Sequence, residues 1–208
     1  ILAEGGEKMS KSKGNVVNPD EIVSRFGADT LRVYELFMGP FEQAISWSTD
    51  SLVGARRFLE RVWRLRDKAQ STVHKDQTKH STQNTRLKAL LHQTVKKVSE
   101  DIEGMRFNTA VSALMILVNV MEKEERLARS DFEVLLRLLA PFAPHISEEL
   151  WMRLGKRRSI HSEPWPLFDP EKAEAETTTI VVQVNGRVRG SFEAPRGEMQ
   201  DNLAETAR

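Results

Sequence analysis

Asn108-Thr109-Ala110-Val111-Ser112-Ala113-Leu114-Met115-Ile116-Leu117-Val118-Asn119-Val120-Met121 reads as one helix, capped by Asn108 and running to about Glu124. Its apolar residues, from Ala110 to Met121, cover nearly all sides. A helix that is apolar all round belongs at the centre of a helical protein. It is not a membrane span, which needs about 20 consecutive apolar residues. The longest unbroken candidate here, Ala113 to Val118, is much shorter.

Helices extend outward from this centre in both directions. Towards the C-terminus, Asp131 to Ala140 is apolar at helical spacing; Pro141 and Pro144 break it, and Pro144 opens a helix to Leu154 that Gly155 ends. Towards the N-terminus, residues 85–104 form a helix ended by Gly104. The polar, aperiodic residues 71–84 read as an exposed linker. Thr49 to Gln70 is a long helix whose buried stripe is Ala55, Phe58, Leu59, Val62 and Leu65. Asp29 to Met38 is a shorter one, stopped by Gly39-Pro40. Before it, Asn18 as cap, Pro19 at the first position, and Asp20 and Glu21 in the first turn start a helix that Gly27 breaks. Residues 1–17 have no period and read as a loop, so residues 1–155 are a loop followed by an antiparallel helix bundle.

The period then changes. Residues 156–176 are irregular, with Pro164, Pro166 and Pro170. Thr177 to Val184 is β-branched, Asn185-Gly186 favours a two-residue hairpin turn, and Arg187 to Phe192 is the return strand. A lone hairpin is marginal, so residues 177–208 read as the opening of a small, truncated α+β domain. The fold class is mainly α, a bundle with a loop before it and a hairpin after it. Ile1 is not an initiator Met, and Arg208 stops inside what reads as a young helix; both ends are expected to lie within a longer protein.

The 208 residues carry no cysteine, which excludes disulfides and thiolate metal sites and fits a reducing cytoplasm. The formal net charge is +1, so any nucleic-acid surface must be local. The first residues lack the basic-then-apolar pattern of a signal peptide. None of the five histidines, His74, His80, His92, His145 and His161, has ligand spacing with partner carboxylates, so no metal site is expected. His145, at a helix start, reads as structural.

The segment that carries chemistry is Lys8-Met9-Ser10-Lys11-Ser12, followed by Lys13-Gly14-Asn15. It places three ammonium groups within six residues, with Gly5, Gly6 and Gly14 on either side to let the loop move. Lysine is a compact charge with rotatable donors, suited to phosphate. The hydroxyls of Ser10 and Ser12 add donors, and Met9 is placed to pack the loop on the protein body. Composition alone favours a plain solvated loop.

The word itself resembles the second signature of the class I aminoacyl-tRNA synthetases, and the resemblance covers nearly the whole chain. Asn15-Val16-Val17-Asn18-Pro19 and Phe26-Gly27-Ala28-Asp29-Thr30-Leu31-Arg32 are similar to the stem helices of that class. Pro141-Phe142-Ala143-Pro144-His145 with Glu148-Glu149-Leu150-Trp151 resembles the bundle of the enzymes for leucine, isoleucine, valine and methionine. Lys13, the run Met38-Gly39-Pro40-Phe41-Glu42-Gln43 with Trp47-Ser48 and Gly54-Ala55-Arg56-Arg57-Phe58-Leu59, and Val182 to Gly190 are similar to the bacterial leucyl type.

The resemblance implies a parent that activates leucine with ATP and magnesium and transfers it to tRNA(Leu), a monomeric cytoplasmic enzyme with no membrane partner. It implies Lys11 as the ATP contact, Lys8 as the supporting cation, and Met9, Ser10 and Ser12 as the rest of the catalytic loop. It divides the chain into the end of the catalytic domain (1–47), the tRNA-binding bundle (48–155), a connector (156–176) and the start of the C-terminal domain (177–208). The other class signature, a His-x-Gly-His word, is absent, and so is a Gly-rich phosphate fingerprint. The leucine pocket and editing domain would lie upstream, and the chain alone is expected to be inactive.

For tRNA, residues 51–70 hold six Lys or Arg against two acids, and Arg57, Arg61, Arg64 and Lys68 line one face at spacings of four, three and four. Spacing alone also fits a solvated face; the resemblance favours tRNA. Arg56 and Arg66 lie off the row and fit packing or ion pairs. Trp63 could stack on a base, though its place beside Leu59 fits the core better, as do those of Trp151 and Trp165. Arg187 and Arg189 share one hairpin face, either an RNA edge or an ordinary exposed face. A non-catalytic RNA-binding module remains the alternative; a pure protein-interaction bundle would leave the lysine word unexplained.

Overall fold

The computed structural model describes residues 1–71, 83–173, 177–184 and 187–195. Its helices are α1 (Pro19–Phe26), α2 (Ala28–Phe37), α3 (Thr49–Ser71), α4 (Gln83–Glu103), α5 (Phe107–Lys123), α6 (Arg129–Leu139), α7 (Pro144–Arg153) and the single turn α8 (Pro170–Ala173). The strands β1 (Thr177–Val184) and β2 (Arg187–Pro195) pair antiparallel. Residues 72–82 of the expected linker lie outside the described residues, as does the Asn185-Gly186 turn.

The local start and stop signals act as their chemistry dictates. The Asn18 side chain accepts a hydrogen bond from the Asp20 amide at 3.0 Å, satisfying one orphan donor of α1. Gly27, at φ 89°, separates α1 from α2 in a conformation a side chain rarely adopts. Two signals fall elsewhere than expected. Helix α5 begins at Phe107 with Arg106 at its cap position and no side-chain cap, so Asn108 lies inside the first turn. After α4, the left-handed residue is Met105, at φ 56°, one position beyond Gly104.

One core joins all the long helices, and α1 and α2 belong to it as well as the bundle proper. Val33 and Tyr34 of α2 are packed with the α3 stripe Ala55, Phe58, Leu59 and Val62. Helix α5 is heavily buried and meets four other helices, but it is not buried all round. Ala110, Val111, Leu114, Leu117, Val118 and Met121 form a stripe at spacings of one, three and four, while Ile116 is 54% exposed. Helix α6 also buries six residues, within only 11 positions, including Phe132, Leu135, Leu136 and Leu139. An apolar run is therefore not proof of all-round burial: α2, α3, α4 and α6 cover α5 except along the narrow face that carries Ile116 and Asn119.

Ties between helices come from polar groups that the stripes do not predict. Buried Asp29, in the first turn of α2, accepts from the Ile146 amide at 2.7 Å and pairs with His145 Nδ1 at 2.7 Å. It caps α7 from another element, a carboxylate at a helix N-terminus; His145 is structural in this sense. Trp151 is core, at 2% exposed, but Trp165 is 37% exposed, with its Nε1 donating to Ser99 Oγ at 2.7 Å. The tryptophan lies on the surface of α4 because residues 160–173 run across that helix: the Asp169 amide donates to His92 Nδ1 at 3.1 Å and Gln93 Nε2 to the Ala173 carbonyl at 2.7 Å.

Fully buried Asp101 joins the end of α4 to the start of α5 through Lys97, Arg106 and Thr109. Burial pushes its carboxyl pKa up, but the hydrogen bonds from Lys97, Thr109 and Arg106 outweigh it and hold the pKa below the ordinary 3.8. A depressed folded pKa contributes stability that is present above the unfolded value and is lost as pH falls through the folded one. The stability gap between the protein and Asp101→Asn, read from urea midpoints, is therefore expected to hold from neutral pH to about pH 5 and to shrink below 3.8. A gap that closes between pH 7 and 5 would contradict this assignment.

Candidate functional site

The lysine loop is more ordered than a glycine-flanked tether. Leu2 forms a parallel bridge with Ser46, its amide donating to the Ile45 carbonyl at 2.8 Å while the Trp47 amide donates to the Leu2 carbonyl at 2.9 Å. Its base is thus fixed to the start of the bundle. Lys11–Lys13 form one turn of 3₁₀-helix, capped by Ser10, whose Oγ accepts from the Lys13 amide at 3.3 Å. Gly14, at φ 63°, reverses the chain after that turn. Asn15 then reaches back: its Oδ1 accepts from the Ser10 amide at 2.8 Å and its Nδ2 donates to the Lys8 carbonyl at 3.3 Å. Met9 packs against the core.

The three ammonium groups are not equivalent. Lys13 Nζ donates to Glu7 Oε2 at 2.9 Å, an exposed pair. Lys8 and Lys11 are exposed and make no ion pair among the described residues. The Ser10 and Ser12 hydroxyls lie 3.1 Å apart. The turn therefore presents two unneutralised cations and a pair of hydroxyls on a loop whose backbone is bonded to itself. Sequence reasoning did not see Asn15 or Glu7 as parts of this arrangement, since nothing in a spacing says where a side-chain amide will fold back.

On α3 the basic row divides in two. Arg57 and Arg64 are exposed. Arg61 instead donates to Glu122 through Nε at 2.9 Å and also reaches Asn119, on α5. Lys68 Nζ donates to the Glu122 carbonyl and, at 2.9 Å, to that of Glu124, beyond the end of α5. A lysine on the last carbonyls of a helix is favourable both as a hydrogen bond and to the helix dipole. Arg61 holds the Glu122 carboxyl below its usual pKa. Off the row, Arg56 donates to Glu60 and to the Phe26 carbonyl, and Arg66 to Asp67, as their positions implied.

Trp63 is partly buried, packed against the core. It lines a cavity of ≈ 780 Å³ beside the α1–α2 turn, with Phe26, Leu59, Arg64 and Ile146 among the lining residues. The guanidinium of Arg153 lies 4.9 Å and that of Arg66 5.4 Å from its ring centroids. In the hairpin, Gln183 pairs with Val188 and Val182 with Gly190, so Arg189 has no opposite partner. That irregularity interrupts the strict alternation expected along β2. Arg189 and Val188 are both exposed; the side chain of Arg187 lies outside the described residues. Among the described residues no group of three His, Asp or Glu could hold a metal ion, and no helix is long and apolar enough to cross a membrane.

Residues 86–204, more than half of the chain, match the family model of the anticodon-binding domain of tRNA ligases. Residues 1–48 match that of the class I tRNA synthetases for I, L, M and V. The chain belongs to the class I tRNA synthetases, with the lysine loop in the match over residues 1–48 and helices α5 to α8, with most of α4, in the anticodon-binding match. Within that family it is similar to the LeuRS of Agrobacterium radiobacter K84, solved in a ternary complex with tRNA and LeuAMS, at 32% identity over 98% of this chain with a TM-score of 0.77. The chain spans 27% of the length of that protein. Mycobacterium tuberculosis methionyl-tRNA synthetase, solved with methionyl-adenylate, aligns with 74% of this chain and 37% of its own at 18% identity and a TM-score of 0.60, a likeness of fold.

Proposed function

We propose that this chain is part of a leucine–tRNA ligase, an ATP-dependent enzyme that activates leucine and transfers it to tRNA(Leu). The observation that carries the reading is the exposed Lys8 and Lys11, without an ion-pair partner among the described residues, on a self-bonded loop that Leu2 ties to Ser46, just before the first helix of the bundle. When the leucine carboxylate attacks the α-phosphate of ATP, negative charge grows on the departing pyrophosphate. Lys11 meets that charge, Lys8 supports it, and the Ser10 and Ser12 hydroxyls lie beside them. Contacts made chiefly in the transition state raise the rate rather than the affinity alone. ATP arrives with magnesium as substrate, and leucine is held by parts of the enzyme outside this chain.

The proposed division of labour follows the boundaries given above: residues 1–47 end the catalytic domain, 48–155 are the tRNA-binding bundle, 156–176 connect, and 177–208 open the C-terminal domain. For tRNA, Arg57 and Arg64 take phosphates; Arg61 and Lys68, engaged with α5, hold the face that carries them. Arg187 and Arg189 offer a second contact on the hairpin. The enzyme is proposed to be a cytoplasmic monomer, in keeping with a chain free of cysteine.

Two measurements on the purified chain test this reading. It is expected to bind tRNA(Leu) weakly in filter-binding titrations, with affinity falling steeply with salt, and Arg57→Ala is expected to reduce the salt slope by about 1. It is expected to show no leucine-dependent pyrophosphate exchange. Salt-independent binding would remove the phosphate-tracking role of α3, and exchange above background would overturn the proposed division of labour.

A further inference from the structure

We propose that Asn15 is a positioning residue, one that holds Lys8 and Lys11 in the geometry from which they meet the leaving pyrophosphate; the inference rests on the ATP-contacting reading of the loop. Its side-chain amide lies between the two limbs of the loop. The incoming limb, Lys8 to Ser10, presents one carbonyl and one amide, and Asn15 satisfies both: it donates to the Lys8 carbonyl at 3.3 Å and accepts from the Ser10 amide at 2.8 Å. Those two groups flank Met9, whose side chain packs against the core. The outgoing limb is brought back to this point by Gly14 at φ 63°.

An amide side chain suits this task because one end must donate while the other accepts, whereas a carboxylate only accepts and a hydroxyl is too short to span both. Beyond Asn15, the limbs are joined by the turn itself: the Lys13 amide to the Ser10 carbonyl and the Gly14 amide to the Lys11 carbonyl, each at 3.2 Å. Those bonds shape residues 10–14 but do not reach Lys8, and the other link between the limbs, the Lys13–Glu7 ion pair, is exposed on both sides and so contributes little. Asn15 is the part-buried backbone brace between the two cations. With three glycines at positive φ around it, Gly5, Gly6 and Gly14, the chain has wide freedom to lose if that brace is removed.

The test is a double-mutant cycle in the intact synthetase that carries this sequence. Asn15→Ala is expected to lower kcat for pyrophosphate exchange about tenfold, the cost of a loosened positioning contact, with the leucine KM within about twofold. In a Lys11→Ala background the same substitution is expected to cost clearly less than about tenfold, since only the supporting Lys8 remains for the brace to hold. A wild-type rate in Asn15→Ala, or losses that simply add, would overturn the positioning role. Lys11→Ala at the wild-type rate would instead overturn the ATP-contacting reading beneath it. Hydrogen exchange on the 208-residue chain gives a readout independent of activity: the Ser10 amide is expected to exchange about tenfold faster in Asn15→Ala with an unchanged urea midpoint. Unchanged protection at Ser10 would also sink the proposal.

Discussion

Lys11→Ala in the intact synthetase is expected to lower the rate of leucyl-adenylate formation about a hundredfold, on the order of 3 kcal/mol of lost transition-state stabilisation. Leucine affinity is expected to stay close to that of the unaltered enzyme. The reasoning is electrostatic: Lys11 has no carboxylate partner among the described residues, so its charge is free for a ligand, and the charge it meets is largest as pyrophosphate departs. Lys13 differs, because Glu7 already lies 2.9 Å from its ammonium. Lys13→Ala should accordingly cost less than Lys11→Ala. Single-turnover adenylation at saturating ATP separates the two effects. If Lys11→Ala raised KM for ATP while leaving the rate untouched, the lysine would be a ground-state contact and the proposed role would fall.

The second large effect concerns the core that carries the loop. Phe132 is fully buried in the first turn of α6, among Leu135, Leu136 and Leu139. Phe132→Ala removes most of a ring's burial and leaves a cavity the neighbours only partly fill, at a cost of about 3–5 kcal/mol. Since domains of this kind are stable by about 5–15 kcal/mol, a large share of the total would go. Urea denaturation followed by circular dichroism measures it, with Ile116→Ala as the control. Ile116 is 54% exposed, so its truncation is expected to stay within about 0.5 kcal/mol. Equal losses at the two positions would contradict the exposure of Ile116 on the open face of α5.

That pair of residues marks where sequence reasoning reached its limit. The helices themselves were legible because their signals are local. Asn18 caps α1, Pro144 opens α7, and the α3 stripe from Ala55 to Leu65 is buried as its spacing required. Which side of α5 faces inward was not legible, because a run that is apolar all round offers no contrast; its neighbours decide. The lysine word was legible as a candidate site, since its residue types and order are contiguous. Its internal bracing by Asn15 was not, since hydrogen bonds to backbone amides and carbonyls leave no periodic trace.

The α3 row shows the same division on a surface. Four cations at helical spacing look alike in a sequence, yet Arg61 is paired with Glu122, 61 residues away, and Lys68 with carbonyls at the end of α5. Asp29 likewise caps α7 from 116 residues upstream, and Trp63, packed against the core, also forms a cavity wall where Arg153 and Arg66 reach it. Sequence by itself determined the mainly helical class, the order of the elements and the family, all set by neighbours within a few turns or by a contiguous word. Only the tertiary structure decided which charges are free and which are neutralised, because a charge's partner is chosen by distance in space, and the partners here are far apart along the chain.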